Sequence, residues 1–212
     1  MAKPKALLLV TMEPSAADEQ EFQDWYDTEH VPERAAIPGF LTAQRFVCVQ
    51  GWPRYVAFYD LAYHEVLNEP GYLAVSGDRF SPWTKRILGR VTGLYRAEGI
   101  QVFPGDAVTG ASGNAPWLIL WRFRGTEPAQ DDEIVAGLHQ IYQGYPDLLQ
   151  FRLFRSSYDN ATDHIALVEL CAPPQPRTLD LKAFGSAARR IDIINCYMRY
   201  WRHGRLHGVL SG

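Results

Sequence analysis

The ten residues from Trp25 to Arg34 read Trp-Tyr-Asp-Thr-Glu-His-Val-Pro-Glu-Arg, and they gather side chains that move protons and hold anions. His30 is the titratable group suited to give or take a proton near neutral pH. Glu29 and Glu33 stand close enough in sequence to orient its imidazole. Arg34 follows directly, and Arg45 lies one segment downstream; either guanidinium could stabilise an enolate or phenolate oxygen. The same stretch has a plainer reading, in which His30 is an ordinary histidine at the rim of a core.

Spacing says which way these groups point. Phe22, Tyr26 and His30 fall four residues apart, with Trp25 beside them, so they share one face of a helix. The aromatic face meets a sheet and carries His30 inward. Asp24 and Asp27 fall elsewhere on the helix and are expected in solvent. Pro32 is expected to stop the helix, because the residue before a proline avoids the α region. That would set His30 at a helix C-terminus, where the dipole favours imidazolium. Downstream, Leu41, Ala43, Arg45, Val47 and Val49 alternate onto one strand face. Arg45 is then a cation in an apolar row, needing a carboxylate such as Glu29 or Glu33, or an anionic ligand. Trp25, Tyr26 and Phe22, with Tyr59 and Tyr95 from later strands, are candidate aromatic walls for a ligand.

The elements that position these residues occur twice. Leu7 to Phe22 resembles Leu118 to Ile134: an apolar strand, a Glu-Pro turn, then acids opening a helix. Each half reads strand, helix, strand, strand, helix, strand, the ferredoxin-like order. The first half has strands near 5–12, 41–49, 54–61 and 91–103, with helices near 16–30 and 81–88. The second has strands near 117–123, 148–154, 164–171 and 194–201, with helices near 131–142 and 179–189. A Gly/Ser/Pro-rich linker near 105–116 divides a half at 1–104 from a half at 117–212. A ferredoxin-like sheet leaves one face bare, so two joined halves can cover each other. The expected fold is α+β: tandem ferredoxin-like units whose antiparallel sheets close an α/β barrel within one chain. By sequence order Arg152 matches Arg45, which suggests a structural role for both. The second half has no His-Val-Pro-Glu-Arg, so the first is expected to carry the site.

Composition narrows the partners. Of 212 residues, 47% are hydrophobic and 13% aromatic, and the net charge is −3 with both signs dispersed. No basic block invites nucleic acid. No apolar run is long enough for a bilayer, and no signal-peptide pattern opens the chain, so it reads as soluble and cytoplasmic. Cys48, Cys171 and Cys196 are isolated, which argues for buried thiols rather than a disulfide framework or zinc site. The tail from Tyr197 to Gly208 is basic and aromatic. It reads as a surface strand end, with pocket closure by Trp201, His203 or His207 as the alternative.

The segment Trp-Tyr-Asp-Thr-Glu-His-Val-Pro-Glu-Arg-Ala-Ala-Ile-Pro-Gly-Phe, followed by the Arg45 strand, resembles the EthD-like group of the dimeric α/β-barrel superfamily. The resemblance covers Phe22 to Phe46 and implies paired ferredoxin-like halves. It implies varied chemistry: cofactor-free oxygenation of aromatic polyketides, dehydration and cyclisation, isomerisation, or haem-dependent reactions. The expected function is therefore a cofactor-independent enzyme acting on a hydrophobic, aromatic or polyketide-like small molecule, with His30 moving the proton. The alternative is a non-catalytic binding or accessory protein of a degradation pathway. No cofactor is expected; the haem variant would use His30 as axial ligand. The protein is expected as a monomer or homodimer.

Overall fold

A computed structural model describes residues 3–110, 115–158 and 161–200. Eight antiparallel strands form a closed barrel. The first half supplies β1 (Ala6–Glu13), β2 (Gln44–Gln50), β3 (Tyr55–Leu61) and β4 (Thr92–Phe103). The second supplies β5 (Trp117–Thr126), β6 (Leu148–Tyr158), β7 (Ala161–Leu170) and β8 (Ile191–Arg199). Around the barrel they run β1-β3-β2-β8-β5-β7-β6-β4. The halves join at two seams, β2 with β8 and β4 with β6, so no sheet edge is left open.

Strand alternation sorts the core into three layers. Leu7, Leu9, Phe46, Val56, Phe58, Phe154, Leu167 and Tyr197 fill the barrel interior. Leu8, Met12, Ala57, Tyr59 and Leu61 face outward beneath the helices of the first half. Leu153, Ala166, Val168 and Leu170 do the same in the second half. Buried on both faces, β3 has no exposed residue, which is why it reads as an apolar run interrupted only by Asp60.

The helical layer of the first half begins with α1 (Glu19–Trp25). It does not stop at Pro32. The chain widens into a π-turn, Tyr26–His30, and continues as α2 (Val31–Ala35). Val31 N–H donates to the Tyr26 carbonyl, five residues back. The missing proline N–H therefore falls where the hydrogen-bond register is already changing, and the wider turn relieves the clash with the preceding carbonyl. Two short helices, α3 (Pro70–Leu73) and α4 (Pro82–Leu88), complete the layer. Ser81 caps α4 by accepting from Thr84 N at 2.9 Å.

The second half carries α5 (Asp131–Tyr142) where the sequence places it. The helix expected near 179–189 is instead a 3-10 segment, Leu181–Arg190, broken at Gly185, whose φ is +49°. A Cβ at Gly185 would lie 2.1 Å from Glu133 Oε1, so a side chain there would displace the Glu133 carboxylate and strain the backbone at its positive φ. The linker is also more than a tether. Thr109 N–H donates to Asp60 Oδ2 at 2.8 Å, and Gly110 N–H to Glu169 Oε2 at 3.1 Å. Between these acids Arg152, fully buried, donates to Asp60 at 2.5 Å, Glu169 at 2.9 Å and Thr109 Oγ1 at 2.6 Å. The linker thus closes one barrel end over a buried ionic cluster. Trp201, His203 and His207 lie outside the described residues.

Candidate functional site

Arg45 and Arg152 turn out not to be equivalent. Arg152 shares the face of Phe154 and points into the barrel, whereas Arg45 alternates with Phe46 and points out to the helices. Matching residue types across the two halves paired positions on opposite sheet faces. Leu41 and Val49, expected to be buried beside Arg45, are 45% and 51% exposed. The partners expected for Arg45, Glu29 and Glu33, are not the ones it has. It donates to Asp27 Oδ1 at 2.6 Å and to Gln23 Oε1, and lies 4.2 Å from the ring centres of both Tyr26 and Tyr200. Asp27 is therefore a structural ion-pair partner rather than a solvated acid. Arg45, Phe22 and Tyr26 form the support behind the site and do not line it.

The site is a cavity of about 210 Å³ between the outer face of the first-half sheet and its helical layer. Leu8, Val10 and Met12 of β1 and Tyr59 of β3 form one wall; Trp25, His30, Arg34, Tyr72, Phe80 and Leu88 form the other. Leu94 and Arg96 of β4 stand at the rim. Tyr95 points the other way: its hydroxyl donates to Asp163 at 2.9 Å across the barrel end. It therefore does not wall this cavity. Tyr72 was missed in the sequence because the segment from His64 to Arg79 has no strand or helix periodicity.

Three side-chain polar atoms on residues lining this cavity are buried without a hydrogen-bond partner: His30 Nδ1, the Tyr59 hydroxyl and Arg34 Nη1. Such an atom costs roughly 1–3 kcal/mol when left unmet. Among the described residues, no carboxylate is hydrogen-bonded to His30. Glu29 instead accepts from Ser81 Oγ at 2.5 Å and Thr84 Oγ1 at 3.3 Å, and Thr84 in turn accepts from Trp25 Nε1 at 3.0 Å. Trp25 stacks on His30 with ring centres 4.3 Å apart, closer than Tyr26 at 5.5 Å, because the π-turn rotates His30 toward the residue five back. Packing holds the imidazole, and Glu29 braces the tryptophan it rests on.

The electrostatics reverse the expectation of an imidazolium. Burial, then Arg34, then Arg45 lower the His30 pKa from 6.5 to about 3, so the ring is neutral at physiological pH. Burial raises Tyr59 well above its ordinary value, which keeps its hydroxyl as a donor. Arg34 is 2% exposed and donates to the Val75 carbonyl at 2.9 Å. Glu33 lies 3.3 Å from Arg34 Nη1, without hydrogen-bond geometry. A neutral acceptor, a fixed donor and a buried cation thus converge on one apolar space.

Larger openings exist elsewhere, in the second half as well as beside the His30 cavity. A groove of about 650 Å³ runs along His139, Gln140, Gln143 and Phe151 of the second half. His139, Gln140 and Gln143 are exposed there over buried Tyr142 and Phe151, and none of its lining residues carries a buried unpartnered side-chain atom. A cleft of about 660 Å³ adjoins the His30 cavity at Leu94 and Arg96. The His30 cavity, at about 210 Å³, is the tighter space. It is smaller than the roughly 300–1,000 Å³ that drug-sized ligands need. Among the described residues, no three metal-ligating side chains come together, and no helix is long and apolar enough to cross a membrane.

No protein-family model matches the chain, and no curated protein matches it in sequence. Solved structures do match. An anthrone oxidase-like protein superposes with a TM-score of 0.67 at 14% identity, covering 94% of this chain and 92% of that one. A chlorite dismutase from Candidatus Nitrospira defluvii, in complex with imidazole, superposes with a TM-score of 0.53 at 10% identity, covering 95% and 93%. At these identities the likeness is one of fold: an α+β closed antiparallel barrel, shared with these structures over nearly the whole chain. The narrower EthD likeness finds no support in these matches.

Proposed function

We propose that the His30 cavity binds a small phenol or enol and draws the proton from its hydroxyl. The observation that carries this reading is the pair of buried, unpartnered atoms, His30 Nδ1 and Tyr59 Oη, in one apolar cavity. A ligand hydroxyl donating to His30 and accepting from Tyr59 satisfies both. The volume, about 210 Å³, suits a single substituted ring; an apolar cavity of about 150 Å³ already holds benzene.

Proton transfer in this site is coupled to charge. In the empty cavity burial, and after it two arginines, oppose a proton on His30. An oxyanion formed beside Arg34 supplies the missing negative charge, so His30 gains proton affinity as the ligand loses its proton. The products are an imidazolium and a phenolate or enolate, stabilised by Arg34 and by the Tyr59 hydroxyl. Such an electron-rich anion is the species that reacts with dioxygen, and the anthrone oxidase-like neighbour favours oxygenation over lyase, isomerase or cyclase chemistry. The low proton affinity of His30 also favours a second reading, a binding or accessory protein that holds the ligand as a neutral phenol.

Oxygen uptake and product formation with substituted phenols and enols, compared between the wild type and His30→Gln and Arg34→Gln, test the proposal. Glutamine keeps a hydrogen bond at position 30 but cannot accept the proton, so turnover should fall by about 10²–10⁴-fold. Turnover that survives His30→Gln at near full rate would remove the general-base role. Binding without any turnover would select the accessory reading.

A further inference from the structure

The strand β4 separates two spaces and faces both. Leu94 and Arg96 line the rim of the His30 cavity and also the wall of the 660 Å³ cleft at the barrel end. The smaller space therefore adjoins the larger one at Leu94 and the Arg96 guanidinium. Arg96 is poised between them: its Nη2 donates to the Tyr72 hydroxyl at 2.9 Å on the cavity side, and its Nη1 pairs with Glu98 outside.

The far wall of the cleft carries a second cation. The Arg124 side chain is 62% exposed, and its one ion-pair contact among the described residues, to Asp163 Oδ2, is long at 3.9 Å. Asp163 is already committed: it accepts from the Tyr95 hydroxyl at 2.9 Å and from Gly125 N–H at 3.0 Å. It therefore neutralises Arg124 weakly. Ser156, 4% exposed, lines the cleft with no side-chain hydrogen bond among the described residues.

We propose that the cleft receives an anionic tail on the ligand whose ring sits in the His30 cavity, with Arg96 and Arg124 as the anchors. The substrate class is then a hydroxyaryl or enolic acid: one ring, one acidic hydroxyl, and a carboxylate on a short linker. The inference rests on the phenol reading of the cavity and extends it. It also explains how a cavity of single-ring size serves a larger molecule: the remainder lies past Leu94. Recognition by the guanidiniums is charge-assisted and carries a preference over uncharged and cationic analogues.

The test is a set of equilibrium titrations with 4-hydroxyphenylacetate, its methyl ester, phenol and tyramine. The wild type should bind the carboxylate about tenfold more tightly than the ester, with tyramine weakest. In Arg124→Gln and Arg96→Gln the ratio of ester to carboxylate affinity should fall toward one. Equal affinity for acid and ester in the wild type, with binding still dependent on His30, overturns the tail subsite and leaves the cavity reading standing. A carboxylate preference that depends on Arg96 and Arg124 but not on His30 keeps the cleft and overturns the phenol reading. Absence of binding by every probe overturns both.

Discussion

Replacing His30 with glutamine should change how stability responds to acid more than it changes stability at neutral pH. The unfolded chain binds the His30 proton near 6.5, and the folded chain only near 3. Between those values the unfolded state holds more protons, so folding weakens as pH falls through 6.5 and the loss saturates below 3. At about pH 5 the separation amounts to roughly 1.5 pKa units, or about 2 kcal/mol. For a chain of this size that is roughly 4–8 °C in midpoint temperature. Glutamine does not titrate, and every other group is common to both proteins. The difference between wild type and His30→Gln, measured by urea or thermal unfolding at about pH 7.5 and again at about pH 5, isolates the term. The wild type should lose about 2 kcal/mol more than the variant over that interval. Parallel pH dependences would mean that the ring is either solvated or charged in the fold, and would undo the neutral-acceptor role.

Three further outcomes follow from the geometry. Arg152→Met leaves Asp60 and Glu169 as buried charges without their cation, and should lower stability by about 3–5 kcal/mol in denaturant titrations. Gly185→Ala places a Cβ against Glu133 Oε1 at a positive φ, and should cost about 1–3 kcal/mol, read as a lower melting midpoint. Val10→Phe fills the His30 cavity from β1 and should abolish phenol binding while the circular dichroism spectrum stays that of the wild type; retained affinity would place the ligand elsewhere.

Period-two alternation and repeated Glu-Pro turns were enough to read eight strands and their order, because strands buried on both faces keep their apolar pattern whatever lies outside them. Phe22, Tyr26 and His30, with Trp25 beside them, were legible as inward-facing from their helical spacing, and all four are buried although Tyr26 and His30 lie in the π-turn beyond α1. Pro32 misled because a proline normally ends a helix, and nothing local announces a π-turn that absorbs the missing N–H. The π-turn also cost the expected carboxylate partner, since it sets His30 over Trp25 and sends Glu29 to Ser81. Arg152 misled differently. Residue type does not encode sheet face, and its true partners, Asp60 and Glu169, lie on other strands. Leu94 and Arg96 were within reach: their two-residue spacing opposite Tyr95 marks them as outward-facing on β4.

The central claim is that an acidic hydroxyl bound beside His30 and Arg34 gives up its proton, and 4-nitrophenol reports this directly because its phenol and phenolate absorb at different wavelengths. Titrated with protein at a pH below its solution pKa, the probe should bind with the phenolate spectrum. In His30→Gln the bound probe should return to the phenol spectrum, and in Arg34→Gln the phenolate fraction should fall. A wild-type complex that shows only the phenol spectrum, or no complex at all, would contradict the assignment of the His30 cavity as a proton-transfer site.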